Sequence, residues 1–258
     1  MMYWSNVTWS DDKKTFYNPE TGLVVTGVNK WFNDNFVEKV DFDKIAEKVA
    51  NKRGIPVEEI KREWGDKIKR GNSLHNFIEG ILKGTYYKRD KYVNEFEGII
   101  LTRLNKFKED GWKPFSVEDP ISAFGLNGRT DTIFYKKMED GTVNYLIVDW
   151  KFVSKFTEYS RFGNLLNELS SLDSSHYVKY MCVGTIYKHM FYDQMYEHFP
   201  KISLDKIEPL VVNFKDANSY KDYYVNTSTK LVIDQVLYDK LHEYETSSKR
   251  VKLEDYKK

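Results

Sequence analysis

The stretch from residue 129 to residue 152 constrains this chain more than any other. Residues 129–137 and 143–152 are rich in β-branched and aromatic side chains and read as strands. Between them, Glu139-Asp140-Gly141 suits a three-residue hairpin loop whose last position takes the left-handed conformation that glycine tolerates. Such a loop pairs Met138 with Thr142, and the same register sets Asp131 opposite Asp149, with Cβ atoms about 5 Å apart. A two-residue loop would shift the pairing by one. Within Leu146-Ile147-Val148-Asp149-Trp150-Lys151-Phe152, the two-residue period of a strand puts Asp149 and Lys151 on one face and Val148, Trp150 and Phe152 on the other.

Helical patterns flank this hairpin. Leu74, Phe77, Ile78, Ile81 and Leu82 form the apolar stripe of an amphipathic helix that starts near Gly71, with Asn72 or Ser73 as N-cap. His75 and Glu79 share one flank of it, roughly 6 Å apart along the axis. A second helix is expected over 92–110, ended by Gly111, then a strand over 115–124. After the hairpin come a helix over 174–198, ended by Pro200, and a strand over 209–214. Upstream, residues 23–36 and 41–53 read as a short strand-like stretch and then helices, with Asp41 or Asp43 as a cap and Gly54-Ile55-Pro56 as a stop. Residues 57–69 restart a helix, and the charged tail from Tyr244 has little to bury. The expected class is α/β in a single domain over 1–258. Its core, 71–215, runs helix, three-strand meander, helix, strand. An N-terminal helical decoration covers 1–70 and a C-terminal extension 216–258.

Composition narrows the chemistry. A chain of 258 residues with 41% hydrophobic content can bury a full core. It has no apolar run of membrane-spanning length, and its first residues lack the basic-then-apolar layout of a signal peptide, so a soluble cytoplasmic protein with no membrane partner is expected. Forty Lys plus Arg against thirty-nine Asp plus Glu leave a net charge of +1, so any surface for nucleic acid must be local. The single cysteine, Cys182, excludes an internal disulfide and an iron-sulfur cluster or zinc site built on four thiolates of one chain. Any metal must sit on oxygen or imidazole. No phosphate-binding Gly-X-X-X-X-Gly-Lys-Ser/Thr loop occurs, so a helicase would have to be a partner.

Two carboxylates facing each other across a hairpin repel unless a cation lies between them, and a hard divalent ion on oxygen ligands is the natural candidate. Mg2+ or Mn2+ at Asp131 and Asp149 would polarise a phosphodiester and acidify a bound water, while Lys151 orients that water or stabilises charge developing on phosphorus. His75 and Glu79 are placed to complete the shell from the neighbouring helix, His75 through a nitrogen that Mn2+ accepts better than Mg2+.

Three segments carry a family resemblance. Gly71-Asn72-Ser73-Leu74-His75-Asn76-Phe77-Ile78-Glu79, Gly128-Arg129-Thr130-Asp131 and Ile147-Val148-Asp149-Trp150-Lys151 resemble the Gly-X-X-X-His-X-X-X-Glu helix, the Gly-X-X-Asp strand and the hydrophobic-Asp-X-Lys strand of the PD-(D/E)XK nuclease superfamily. Within it the chain is most similar to the RecB-like exonucleases, including phage recombination exonucleases and the mitochondrial genome maintenance exonuclease. The resemblance covers roughly residues 64–190. It implies a restriction-endonuclease-like core, a mixed central sheet flanked by helices. It further implies metal ligation by Asp131, Asp149, His75 and the Trp150 carbonyl, with Glu79 as ligand or support and Lys151 assisting the nucleophilic water. One departure stands out: the family's Gln, followed a turn later by Tyr, is replaced by His176-Tyr177-Val178-Lys179-Tyr180. Lys179 or Tyr180 then substitutes in contacting DNA phosphates, with Tyr177 and Arg129 as further contacts. The implied activity is a DNA exonuclease or end-processing enzyme of recombination, repair or replication, of phage or other viral origin. Its substrate would be single strands or duplex ends, and its partner a helicase, recombinase or single-strand-binding protein. The alternatives are an endonuclease on the same fold and a catalytically idle binding module.

Overall fold

In this computed structural model the described residues are 7–10, 12–13, 15–160, 163–199, 202–247 and 250–255. The chain begins with strands β1 (Thr8–Ser10), β2 (Thr15–Tyr17) and β3 (Val24–Gly27), then helices α1 (Val28–Phe36), α2 (Phe42–Arg53), α3 (Val57–Lys83) and α4 (Lys91–Glu109). Five strands follow: β4 (Lys113–Val117), β5 (Pro120–Ala123), β6 (Leu126–Arg129), β7 (Thr132–Lys137) and β8 (Val143–Lys151). The chain then forms α5 (His176–His198), β9 (Ile207–Asp216), β10 (Ser219–Tyr224) and α6 (Thr227–Thr246).

The hairpin forms in the expected register. Met138 N–H donates to the Thr142 carbonyl at 2.9 Å, Gly141 has φ +82°, and pairing runs from Lys137↔Val143 to Thr132↔Val148. It occupies the middle of a mixed sheet ordered β10-β9-β8-β7-β4, in which β8 and β9 are parallel and the other neighbours antiparallel. Alternation along β8 divides the core. Leu146, Val148 and Trp150 face α3 and α4 with Phe77, Phe96, Phe107 and Phe214. Ile147, with Ile133 and Val211, faces α5 and packs with Met181 and Ile186. The fully buried Trp150 indole donates Nε1–H to Thr132 Oγ1 at 3.0 Å, so its one polar atom is satisfied.

Four expectations are corrected. Helix α3 runs unbroken through Gly71, so neither Asn72 nor Ser73 is a cap. A mid-helix glycine costs about 1 kcal/mol, which this 27-residue helix with its buried stripe absorbs. Ser73 Oγ instead donates to Asp90, the N-cap of α4, at 2.7 Å. Second, the single strand over 115–124 is two strands in two sheets, divided where Glu118 takes φ +52° and Pro120 follows; a proline cannot donate within a ladder. Third, the first 70 residues are no mere helical decoration. β1–β3 build a second sheet, β1-β2-β3-β6-β5, and α1 sends Val28, Trp31, Phe32 and Phe36 into the main core. Finally, the expected C-terminal extension contributes to the core, because among its described residues Tyr223, Ile233, Leu237 and Leu241 join it and Lys252 bridges Leu23. The α2 cap is Asp41, which accepts from the Asp43 and Lys44 amides. Among the described residues no helix is long and apolar enough to cross a membrane.

Candidate functional site

The site forms where β7 and β8 part. Thr132↔Val148 is the last paired rung, so Asp131 and Asp149 stand just past it and not in a regular cross-strand pair. The expected rung is replaced by a side-chain bond: Trp150 N–H donates to Asp131 Oδ2 at 2.7 Å, and the Asp131 carbonyl accepts from Glu118 N–H at 3.0 Å. This places both carboxylates in one cleft of about 190 Å³ between the sheet and α5, bounded by Arg129, Asp149, Lys151, Tyr180 and Tyr187.

Asp149 and Lys151 share the α5-facing side of β8, as their spacing required, and Lys151 Nζ donates to Asp149 Oδ1 at 2.6 Å. The ammonium also lies 4.7 Å from the centre of the Tyr180 ring. Burial works against the charge on Lys151, but Asp149 and Asp131 outweigh it and raise its pKa, so the side chain stays cationic. Burial and the Asp149 charge push the Asp131 carboxyl up to about 7, against the opposing pull of His75, Lys151 and the Trp150 amide. A partly buried acid pair with one ammonium is short of positive charge.

His75 projects from α3 to the other side of Asp131. Its Nδ1 lies 3.5 Å from Asp131 Oδ2 and 3.7 Å from Glu118 Oε1, and one ligand atom from each of these three residues falls within 4.8 Å of the others. Burial disfavours the imidazolium, yet the nearness of Glu118 and Asp131 prevails and raises its pKa. Ligands of one small divalent ion at about 2.1 Å sit no more than roughly 4.2 Å apart, so this triad could hold such an ion after a slight contraction. Glu118 is a member that the sequence reading missed. The signal was Pro120, which argues against one strand over 115–124 and marks the preceding residues as the place where the chain turns.

Glu79 does not join the group. It pairs with Lys83 at 2.8 Å and borders a separate hollow with Asn76 and Tyr87. Of the expected DNA contacts, Tyr180 and Arg129 reach the cleft, and Arg129 also lies 3.6 Å from Glu118. The Tyr177 hydroxyl donates to the Tyr224 carbonyl and accepts from Asn226 N–H, tying α5 to the start of α6. Lys179 is half-buried, which lowers its pKa, and it does not line the cleft. The Trp150 amide is fixed at the site through Asp131, while its ring belongs to the opposite core.

Tyr187 closes the cleft against the Arg129 backbone, and burial pushes its phenol up to about 12. It can approach only because residue 128 is glycine, where an added Cβ would stand 2.3 Å from the Tyr187 hydroxyl. Gly128→Ala is therefore expected to destabilise the protein by about 1–3 kcal/mol through overpacking, read as a lower urea midpoint with an unchanged m-value. An unaltered midpoint would mean that Tyr187 moves aside freely. No family model matches this sequence, and no curated protein matches it either.

Proposed function

We propose that the chain is a divalent-metal-dependent DNA nuclease of the PD-(D/E)XK type, with an exonuclease or end-processing role. The observation that carries this reading is the convergence of His75, Glu118 and Asp131 on one point, with Asp131 also lining the cleft that holds the Asp149–Lys151 pair. The order of elements supports it: α3 and α4 precede β4, β7 and β8, neighbouring antiparallel strands with β5 and β6 inserted between the first two, and α5 and then β9, parallel to β8, follow, in the helix, three strands, helix, strand order of the sequence reading. When bound, Mg2+ or Mn2+ supplies Lewis-acid polarisation of the phosphodiester and a water of lowered pKa. His75, Glu118 and Asp131 would hold the ion, with Asp149 at its edge. Lys151 acts as a donor and not as a base, because its ammonium is held charged by Asp149 and Asp131. From there it orients a nucleophilic water and stabilises charge on the phosphoryl oxygens. Tyr180 and Tyr187 wall the cleft on the α5 side.

The test is digestion of end-labelled linear duplex, single-stranded and closed circular DNA with and without Mg2+ or Mn2+. Metal-dependent release of nucleotides from linear DNA is expected. Cutting of closed circles would move the reading to an endonuclease, and no cleavage under any metal would sink it. Glu118→Gln and His75→Ala are each expected to weaken Mn2+ binding about 10-fold or more in calorimetric titration while the protein stays folded. Wild-type affinity in Glu118→Gln would remove that residue from the ligand set, and unfolding of His75→Ala would mark the imidazole as a packing residue.

A further inference from the structure

A second hollow adjoins the candidate site on the same face of the sheet. Across β8, β9 and β10 the register sets Lys151 beside Asn213 and Asn213 beside Lys221, so the hollow begins one strand away from the cleft, about 5 Å. Asn213 is buried, and its side-chain amide bonds both the N–H and the carbonyl of Val153, which fixes the chain as it leaves β8. Lys155, Lys215 and Lys221 line the hollow together with Phe156 and Tyr223, which stack on each other at 4.3 Å. Phe156 also lies 5.9 Å from Tyr180, so one aromatic wall separates the two hollows. Lys221 is held by Glu158 at 2.6 Å, but among the described residues neither Lys155 nor Lys215 has an ion-pair partner. In a chain of net charge +1 this is a local excess of positive charge beside the acids.

We propose that this hollow is a phosphate track for one strand of nucleic acid running past the candidate site, with Lys155 and Lys215 as its contacts; the identity of the strand as substrate rests on the nuclease reading above. Lys221 lies 4.8 Å over the Tyr223 ring, and Lys155 and Lys215 line the same hollow; cations set beside aromatic rings match the alternation of charge and base in a single strand. The cationic rim also answers the acidic cleft: the ion site takes the scissile phosphate, and the track holds its neighbours.

The experiment follows binding of fluorescein-labelled oligothymidylate by anisotropy in EDTA, across a series of KCl concentrations. Lys155→Ala/Lys215→Ala is expected to lose about tenfold in affinity near 0.1 M salt and to flatten the log–log salt dependence by about 1.4, at about 0.7 for each phosphate contact to a single strand. Lys106→Ala/Lys108→Ala, which removes equal charge from α4, is expected to change neither. Wild-type affinity and slope in the first variant, or equal losses in both, would overturn the track. Mn2+-dependent hydrolysis of thymidine 5′-p-nitrophenyl phosphate, too small to reach the lysines, should be unchanged in the Lys155/Lys215 variant. A wild-type chain that binds through these lysines yet hydrolyses nothing would sink the nuclease reading and leave the track standing. Hydrolysis without lysine-dependent binding would sink the track alone.

Discussion

Lys151→Ala is expected to lower the single-turnover rate of DNA cleavage by about 10²–10³ or more at saturating Mn2+, with little change in DNA affinity. Its ammonium sits at 2.6 Å from Asp149 and is kept charged by both acids, so what it supplies is a donor aimed into the cleft. In the proposed mechanism that contribution is felt where charge develops on phosphorus, not in the ground-state complex. The variant also strips the two carboxylates of their one nearby ammonium, which destabilises the metal-free fold. A dication can stand in for that charge, so circular dichroism in Mn2+ should show a folded protein. Lys151→Arg sharpens the test. A planar guanidinium keeps the charge but changes the donor geometry, and a structural role alone would be rescued by it. Cleavage at near wild-type rates in Lys151→Ala would remove the residue from the mechanism.

The elements of this site were unequally legible in the sequence. The hairpin was, because a three-residue loop ending in Gly141 fixes the register, and the register plus a two-residue period places Asp149 beside Lys151. Placing Asp131 within reach of Asp149 needed nothing further. Its exact environment did, since the bond from Trp150 N–H to Asp131 depends on the two strands parting after Thr132. His75 was found through helical spacing alone, but the same spacing offered Glu79 with equal force. Only the tertiary packing of α3 decides that His75 meets Asp131 while Glu79 turns to Lys83. Glu118 stayed hidden because its role comes from a left-handed residue at the junction of two sheets. The second of those sheets pairs residues about a hundred positions apart, Thr26 with Leu126, which no local pattern announces.

The acid pair gives the sharpest expectation for the protein without metal. The Asp131 carboxyl, pushed up to about 7 by burial and by Asp149, is costly to ionise in the fold but not in the unfolded chain. A raised carboxylate pKa means that the folded state holds a proton the unfolded state has released between about pH 4 and 7. The destabilisation is therefore full above pH 7 and fades on acidification. Asp131→Asn keeps an oxygen for the Trp150 amide and removes the charge. At pH 8 it should stabilise the metal-free protein by about 1–2 kcal/mol, a figure discounted for the remaining exposure of the site. For a chain of this size that raises the thermal midpoint by about 2–4 °C per kcal/mol. Near pH 5 the difference from wild type should largely vanish. Added Mn2+ reverses the order: binding to the native state contributes about 2.7 kcal/mol at a hundredfold excess over Kd, and the variant forfeits most of it. Asp149→Asn should behave differently, because Asp149 is the hydrogen-bonded partner of Lys151 and its loss strands a buried ammonium. That variant is expected to melt lower than wild type without metal. An Asp131→Asn protein that is less stable at pH 8 in EDTA, yet gains as much from Mn2+ as the wild type, would show that Asp131 neither carries strained charge nor holds an ion, and the nuclease reading would lose its centre.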